Sequence, residues 1–565
     1  MAGKQKLELT WIGKENRPRL EPRILLEDPA KSYHAPHRVS ENDSFDNRLI
    51  FGDNLLALKA LEQEFTGKVK CIYIDPPFNT GQAFEHYDDG VEHSLWLTLM
   101  RDRLNILKRL LCENGSIWVH CDDNEQAYLK VMMDEIFGRD AFVATVVWES
   151  RYSRSNDASL SSSHNFILVY SPNPDRWKLV RNRLPRNDKQ SSQYKNPDND
   201  PRGPWRAIPW DAPNLRPNLT YPITTLGGSV RMPPEGRCWS RTEENWNEIV
   251  DAGLAYFGKD GNGAPSYKKF LDDAAAIVPN TWWSHEDAGH TDEGKKEIHL
   301  LFGKDNAFAT PKPERLLHRI IHIATDEGDI VLDSFGGSGT TGAVAHKMGR
   351  RWVMIELGEH CHTHIIPRLK KVIDGTDPGG VTESCNWKGG GGFRYYSLAP
   401  SLLKEDAFGN WVISKEFNPA MLAEAVCKLE GFHYAPSDEY YWQHGHSTES
   451  DYIFVTTQTL SREQLQKLND EVGPNRSLLV CCGAYRTKKL DDFPQLTVKK
   501  IPKAVLQKCE WGKDDYSLEI KALPDPRPTE NTSVDPVLAD LPKNKRKARK
   551  ALEAQPTLFD HEDDF

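Results

Sequence analysis

Apolar and polar positions alternate in blocks along the first part of this chain, and the block lengths predict a succession of short strands and helices. A short apolar run, Arg48 to Gly52, closes on Gly52-Asp53 and reads as a strand, and Leu55, Leu58 and Leu61 then recur at helical spacing. A continuous apolar run from Val69 to Ile74 predicts a buried strand. Helical periodicity returns over Leu95 to Leu111, and Ser116 to His120 predicts a strand ending in Asp122-Asp123-Asn124. A helix through Met132 and Ile136 follows, then strands at Phe142 to Trp148 and Phe166 to Tyr170. Strands alternating with helices predict an α/β unit built on a parallel sheet covered on both faces.

The rhythm stops between about Arg151 and Phe302, where Pro, Gly, Asn, Arg and Trp crowd the chain, so residues 151–302 predict a separate recognition module. It resumes with a helix at Pro313 to Thr325, a strand at Asp329 to Leu332, a glycine turn, a helix from Thr341 to Met348 and a strand at Arg351 to Glu356. One sheet is therefore expected from two stretches, 43–150 and 303–388. Residues 1–42, rich in proline and charge, predict an extended arm. Gly389 to Gly392 marks the next expected boundary. Beyond it, strands at Tyr452 to Thr456, Ser477 to Cys482 and Leu496 to Lys500, with helices at Pro419 to Leu429 and Arg462 to Asp470, predict a smaller α/β domain over 393–523. The tail 524–565, with prolines, a basic run and an acidic end, has the composition of a disordered segment.

Composition narrows the functional classes. The 565 residues contain no apolar stretch near the roughly 20 residues that a membrane-spanning helix needs, and the amino terminus lacks the apolar core of a secretory signal. A cytoplasmic protein without membrane attachment is expected. Ten cysteines follow no spacing framework, which suits reduced thiols, with Cys481-Cys482 in an apolar strand read as core. A formal net charge of −10 argues against a nucleic-acid partner, but its distribution argues otherwise. Between Arg151 and Arg241 basic residues exceed acids by eight. Arg151, Arg154, Arg181, Arg183, Arg186, Arg202, Arg206 and Arg216 lie there among Tyr152, Trp177, Trp205 and Trp210. Such a mixture predicts a phosphate-contacting, base-stacking surface; the competing reading is a solvated loop region with a few buried tryptophans. No Walker-type phosphate loop occurs, which disfavours an ATPase motor.

Two motifs carry the chemistry. Asp75-Pro76-Pro77-Phe78 follows the first buried strand, and Asp333-Ser334-Phe335-Gly336-Gly337-Ser338-Gly339-Thr340-Thr341 follows the later one. An exocyclic amine of adenine or cytosine is a poor nucleophile because its lone pair is delocalised into the ring. Asp75 and the Pro76 carbonyl could each accept one amino hydrogen, the two prolines stiffen the loop, and Phe78 offers a flat face to a base. Such a base must first leave the duplex, at a cost of a few kcal/mol. In the second motif Gly337, Gly339 and Gly342 also satisfy dinucleotide-binding spacing, so a nicotinamide or flavin is the rival cofactor. Asp333-Ser334-Phe335 ahead of the glycines, together with the amine-binding motif upstream, favours S-adenosylmethionine. Glu356, ending the next strand, is placed to accept bonds from ribose hydroxyls.

On these motifs and their order the chain resembles the β-class of amino-methylating DNA methyltransferases, most closely the modification (Mod) subunits of type III restriction-modification systems and their orphan relatives. The resemblance covers about Arg48 to Thr376. It extends to Phe51-Gly52-Asp53-Asn54, Asn79-Thr80-Gly81, Asp122-Asp123-Asn124-Glu125, Phe308-Ala309-Thr310-Pro311-Lys312-Pro313 and Glu356-Leu357-Gly358. It implies a Rossmann-like fold with circularly permuted motif order and an inserted target-recognition domain. It also implies that Asp53 contacts the cofactor adenine, that Thr310, Lys312 and Pro313 belong to the cofactor pocket with Gly337, Gly339 and Thr340, and that Phe335 lies against S-adenosylmethionine. Phe78 stands where the family more often has tyrosine, and Asp75 where the N4-cytosine enzymes usually have serine, which points to N6-adenine in double-stranded DNA. The alternatives are N4-cytosine methylation and a recognition subunit serving a separately encoded helicase-nuclease. A homodimer is the family expectation. His360-Cys361-His362 with His364 reads as the start of a surface helix rather than a metal site. Gln555-Pro556-Thr557-Leu558-Phe559 resembles the peptide by which bacterial proteins dock on the replication sliding clamp, and an apolar pair in a disordered tail is its alternative.

Overall fold

The computed structural model describes residues 8–77, 89–154, 159–186, 191–272, 276–305, 308 and 310–516. Phe78, Asn79-Thr80-Gly81, the tail 524–565 and its Gln555 to Phe559 peptide lie outside the described residues.

Eleven strands form one large sheet. In chain order they are β1 (Leu25–Glu27), β2 (Tyr33–His34), β3 (Asn47–Phe51), β4 (Val69–Ile74), β5 (Leu111–Cys121), β6 (Phe142–Trp148), β7 (Asn165–Tyr170), β8 (Trp282–Trp283), β9 (Ile330–Asp333), β10 (Arg351–Glu356) and β11 (Gly392–Leu398). Across the sheet they run β1-β11-β3-β10-β9-β4-β5-β7-β6-β8, with β2 also pairing β11. The run β11-β3-β10-β9-β4-β5 is wholly parallel. Its strands are apolar on both faces because both are covered: Cys71 and Tyr73 of β4 enter one buried cluster, Ile72 and Ile74 the other.

The helices include α1 (Asn54–Phe65), α2 (Asp89–Leu110), α3 (Gln126–Phe137), α4 (Thr291–Phe302), α5 (Glu314–Ala324), α6 (Thr340–Lys347) and α7 (Ile366–Ile373); all of these but α4 contribute side chains to the two clusters. Asp53 caps α1 by accepting the Leu56 amide, and buried Leu55, Leu58 and Leu61 turn its apolar stripe inward.

Three expectations are corrected. The sheet is mixed, because β7 runs antiparallel to both β5 and β6, and β1 and β2 run antiparallel to β11. Without a helical crossover between β6 and β7, the returning strand pairs antiparallel. Second, the chain from Gly392 does not open a new domain: β11 lies beside β3 with Phe393 and Tyr395 buried on one face and Tyr396 on the other. The sheet thus extends to Leu398, and the segment expected as a free arm supplies β1 and β2. Third, β7 and β8 belong to the large sheet, so limits at 151 and 302 cut through it.

Between β7 and β8 lies a separately packed insertion. Strands Trp205–Pro209, Ala255–Tyr256 and Ser266–Phe270 form a small sheet, and Trp210, Tyr221, Ile223, Trp239, Trp246 and Phe257 make its own core. Beyond β11 a five-stranded sheet, His433–Tyr434, Gly445–His446, Asp451–Val455, Ser477–Cys482 and Leu496–Lys500, packs with helices Pro419–Glu430 and Arg462–Val472. All ten cysteines are free, and Cys481 and Cys482 are buried there. No helix among the described residues is long and apolar enough to cross a membrane.

Candidate active site

The five strands β3, β10, β9, β4 and β5 lie side by side and parallel, so whatever follows each of them is brought to one edge. In that order the edge presents Asp53, Glu356, Asp333, Asp75 and Asp122. The carboxyl end of a parallel sheet is where such folds bind ligands. The two sequence motifs, some 260 residues apart, become neighbours because β4 and β9 pair directly, Val331 with Cys71 and Leu332 with Ile72.

Asp75 begins the loop after β4. Pro76 is buried, and the Pro77 carbonyl accepts the Trp96 indole N–H at 2.8 Å, so α2 pins the loop. The two carboxylate oxygens of Asp75 differ sharply. Oδ2 is ion-paired with the Lys312 ammonium. Oδ1 is buried and has no hydrogen-bond partner among the described residues. Nδ1 of His120, at the end of β5, stands 3.8 Å from Oδ1 and 3.1 Å from the Tyr73 hydroxyl. Burial, then the nearby Lys312 charge, pushes the His120 imidazole down to about 3, so the ring is neutral.

Asp333 organises the glycine turn. One oxygen accepts the Phe335 amide at 2.9 Å and the other the Thr341 hydroxyl at 2.5 Å. Burial nevertheless raises its carboxyl to about 8. Glu356 accepts the Gly337 amide at 2.7 Å with Oε2 and the Gly358 amide at 2.8 Å with Oε1, while His360 Nε2 lies 3.1 Å away. Gly337 has φ +51°, and among the described residues a Cβ there would meet only the Phe335 carbonyl oxygen at 3.8 Å and the Phe308 ring at 3.9 Å, both ordinary contacts. Gly339 is the left-handed residue before α6 and puts no side-chain cap on that helix. Asp53 is fully engaged: besides capping α1 it accepts the Tyr516 amide at 3.0 Å and faces Arg103 at 3.3 Å. Asn54 reaches the Ser334 carbonyl, tying the turn after β3 to that after β9.

Thr310 is exposed, Pro313 is the N-cap of α5, and between them Lys312 points to Asp75. Behind the turn lies a buried charge network that the motifs do not announce. Glu314 pairs with Lys347 and Arg368, Lys347 also with Asp377, and Arg368 donates to the Ser338 carbonyl and the Thr340 hydroxyl. His120, Tyr73, Trp96, Arg103 and Tyr516 likewise escaped the sequence reading; only His120, polar in an apolar strand, left a trace.

The arginines expected to contact DNA, Arg151 and Arg154 between β6 and β7 and the others in the insertion, separate into two kinds. Arg151, Arg154 and Arg183 are exposed, and Arg181 is half-buried. Arg202 is held by Asp200 and by the Ala252 and Gly253 carbonyls, over the Phe270 ring, and half-buried Arg206 lies over Tyr194. Trp177, Trp205 and Trp210 are buried, so the expected stacking surface is not made by them. Tyr152 is exposed and stacks on His285. His360, Cys361, His362 and His364 span a π-helical turn ahead of α7, and no group suited to a metal occurs among the described residues.

Residues 69–367 match the N6_N4_Mtase family, described as DNA methylase. The fold and the edge define a member of that class, and the chain belongs to the DNA methylase family. The probable type III restriction-modification enzyme HindVI Mod subunit of Haemophilus influenzae is 34% identical over 429 residues, covering 64% of this chain and 55% of its own. The type III StyLTI Mod subunit of Salmonella typhimurium is 36% identical over 335 residues, 54% of this chain and 50% of its own. The chain thus spans about half the length of these curated relatives. Among solved structures, PvuII DNA methyltransferase (cytosine-N4-specific) is 14% identical, covers 62% of this chain and 94% of its own, and has a TM-score of 0.33.

Proposed function

We propose that this chain transfers a methyl group from S-adenosylmethionine to the N6 amine of a flipped-out adenine in double-stranded DNA, as the modification component of a restriction-modification system or an orphan relative. The observation that carries the reading is Asp75 Oδ1, a buried carboxylate oxygen without a hydrogen-bond partner among the described residues, at the sheet edge beside the glycine turn. A buried acceptor left bare costs about 1–3 kcal/mol, and a ligand donor such as an amino hydrogen removes that cost.

The residues fit the donor. The open face at Gly337, the uncapped start of α6 and the carboxylates of Glu356 and Asp75 suit a ribose, a carboxylate and a sulfonium cation respectively, with Asp333 holding the turn in shape. Phe335, Gly337, Gly339, Thr340 and Glu356 would hold it, with Asp53, Thr310 and Pro313 at the margins. When bound, S-adenosylmethionine supplies an electrophilic methyl group, whose S–C bond breaks as the N–C bond forms. Asp75 Oδ1 and the Pro76 carbonyl accept the two amino hydrogens and direct the nitrogen lone pair; the surplus proton leaves as, or after, that bond forms. Pro77 cannot compete for the amine, since its carbonyl already serves Trp96. Phe78 would stack the base. Exposed Arg151, Arg154 and Arg183 are the phosphate-binding candidates, with Arg181, Arg202 and Arg206 in supporting positions. Homodimerisation, a separately encoded restriction subunit and docking of Gln555 to Phe559 on a sliding clamp are further parts of the proposal.

Methylation sequencing of DNA from cells expressing the chain tests this, beside Asp75→Ala. N6-methyladenine at one defined motif, absent with Asp75→Ala, is expected. N4-methylcytosine would reverse the base, and modification that survives Asp75→Ala would refute the site.

A further inference from the structure

The family resemblance assigns Lys312 to the cofactor pocket, but its ammonium lies on the other partner in the reaction. It is ion-paired with Asp75 Oδ2 and only 13% exposed. The backbone behind it is held from three sides. Pro311 and Pro313 restrict φ before and after it, and its carbonyl accepts the Thr340 hydroxyl at 3.3 Å. On the third side α4 lies so close that a Cβ on Gly294 would stand 2.6 Å from the Pro311 carbonyl oxygen and 2.9 Å from the Lys312 carbonyl carbon. A flexible side chain thus springs from an immobile base beside the carboxylate.

Among the described residues, the groups around Asp75 engage one of its oxygens and leave the other for a ligand. Oδ2 is taken by Lys312; Tyr73 and His120 stand on the Oδ1 side, hydrogen-bonded to each other, with the ring 3.8 Å from that oxygen. An imidazolium there would bind Oδ1 itself, but the ring is neutral, so that oxygen stays available. We infer that Lys312 is a positioning residue for methyl transfer, clamping one oxygen of Asp75 so that the other is presented in a fixed direction to the target amine. The inference rests on the proposed function and deepens it by dividing the Asp75 carboxylate into an anchored and an acting oxygen.

The test uses the full chain with Lys312→Met, which keeps length and removes charge, and Lys312→Arg, which keeps charge. Single-turnover methyl transfer to DNA bearing the chain's own site is measured beside S-adenosylmethionine affinity by calorimetry and the thermal midpoint. Lys312→Met is expected to slow transfer by about 10-fold or more while the cofactor Kd stays within about 2-fold, with Lys312→Arg recovering part of the rate. In an Asp75→Asn background the charge of Lys312 has nothing to hold, so Lys312→Met should add no further loss. Cofactor affinity falling in step with rate, an unchanged rate, or losses that multiply in the double variant would each overturn the inference. These are distinct from failure of the underlying reading, in which wild-type chain transfers no methyl group or Asp75→Asn transfers at the full rate.

Discussion

Gly294→Ala is the sharpest perturbation of the site that leaves every candidate site residue in place. Gly294 is buried in α4, and the three atoms nearest the added methyl are all backbone: the Pro311 oxygen at 2.6 Å, the Lys312 carbon and the Pro313 nitrogen at 2.9 Å. Ordinary carbon–oxygen contacts lie at about 3.3–3.6 Å, so helix and segment must part by roughly 0.7 Å. Overpacking of this kind costs about 1–3 kcal/mol, offset by about 1 kcal/mol because alanine favours a helix interior over glycine. A net loss of about 0–2 kcal/mol is expected in urea denaturation. The displacement falls on the backbone that carries Lys312, and misplacements near 1 Å can cost about 100-fold in rate. Single-turnover transfer should therefore drop by about 10-fold, more than the stability loss explains in a chain that is still folded. If Gly294→Ala instead stabilises the protein by the full propensity gain and transfers at the wild-type rate, α4 does not bear on residues 311–313 as described.

Two other perturbations probe the surroundings. Glu297, buried beside Glu314, has its carboxyl raised to about 8 by desolvation and then by the Glu314 charge. It holds more protons folded than unfolded between about pH 4.5 and 8, so its contribution is full below that window and is lost as pH rises through it, by up to roughly 5 kcal/mol. Glu297→Gln should flatten the fall in unfolding free energy between pH 5 and pH 8; equal slopes would show that Glu297 ionises normally, and comparing slopes cancels the similar behaviour of Asp333. Trp210, 2% exposed in the core of the insertion, should lose about 3–5 kcal/mol on Trp210→Ala. DNA affinity should then collapse with S-adenosylmethionine affinity intact by calorimetry, and loss of both would tie the insertion to the sheet.

Where local pattern and tertiary role agreed, the sequence was readable. β4 and β10 match the expected runs because a central parallel strand is apolar on both faces. The motif order fixed which loops meet at the sheet edge. Direction was not readable: β7 is as apolar as a parallel strand, and only its partner reveals that it returns. Gly389 to Gly392 looked like a boundary because glycines punctuate, yet here they admit the chain to β11. The tryptophans of the insertion were mistaken for surface because composition does not report burial. Lys312 was placed by resemblance in the cofactor pocket, while its ammonium pairs with Asp75, and nothing in a linear spacing records the direction of four methylenes.

The position of β3 sets the order in which this protein can fold. The strand that ends at Asp53 is flanked on one side by β10 and on the other by β11, both made some 300 or more residues later. At about 5–20 residues per second, a ribosome needs roughly 20–70 s to pass from Phe51 to Leu398. Until β10 is made β3 offers two bare hydrogen-bonding edges, and until β11 is made it still offers one, each a template for the wrong partner. Maturation of the cofactor edge therefore waits for the synthesis of β10 and β11, and a nascent chain arrested before residue 392 should remain protease-sensitive around Asp53 however complete its first helices are.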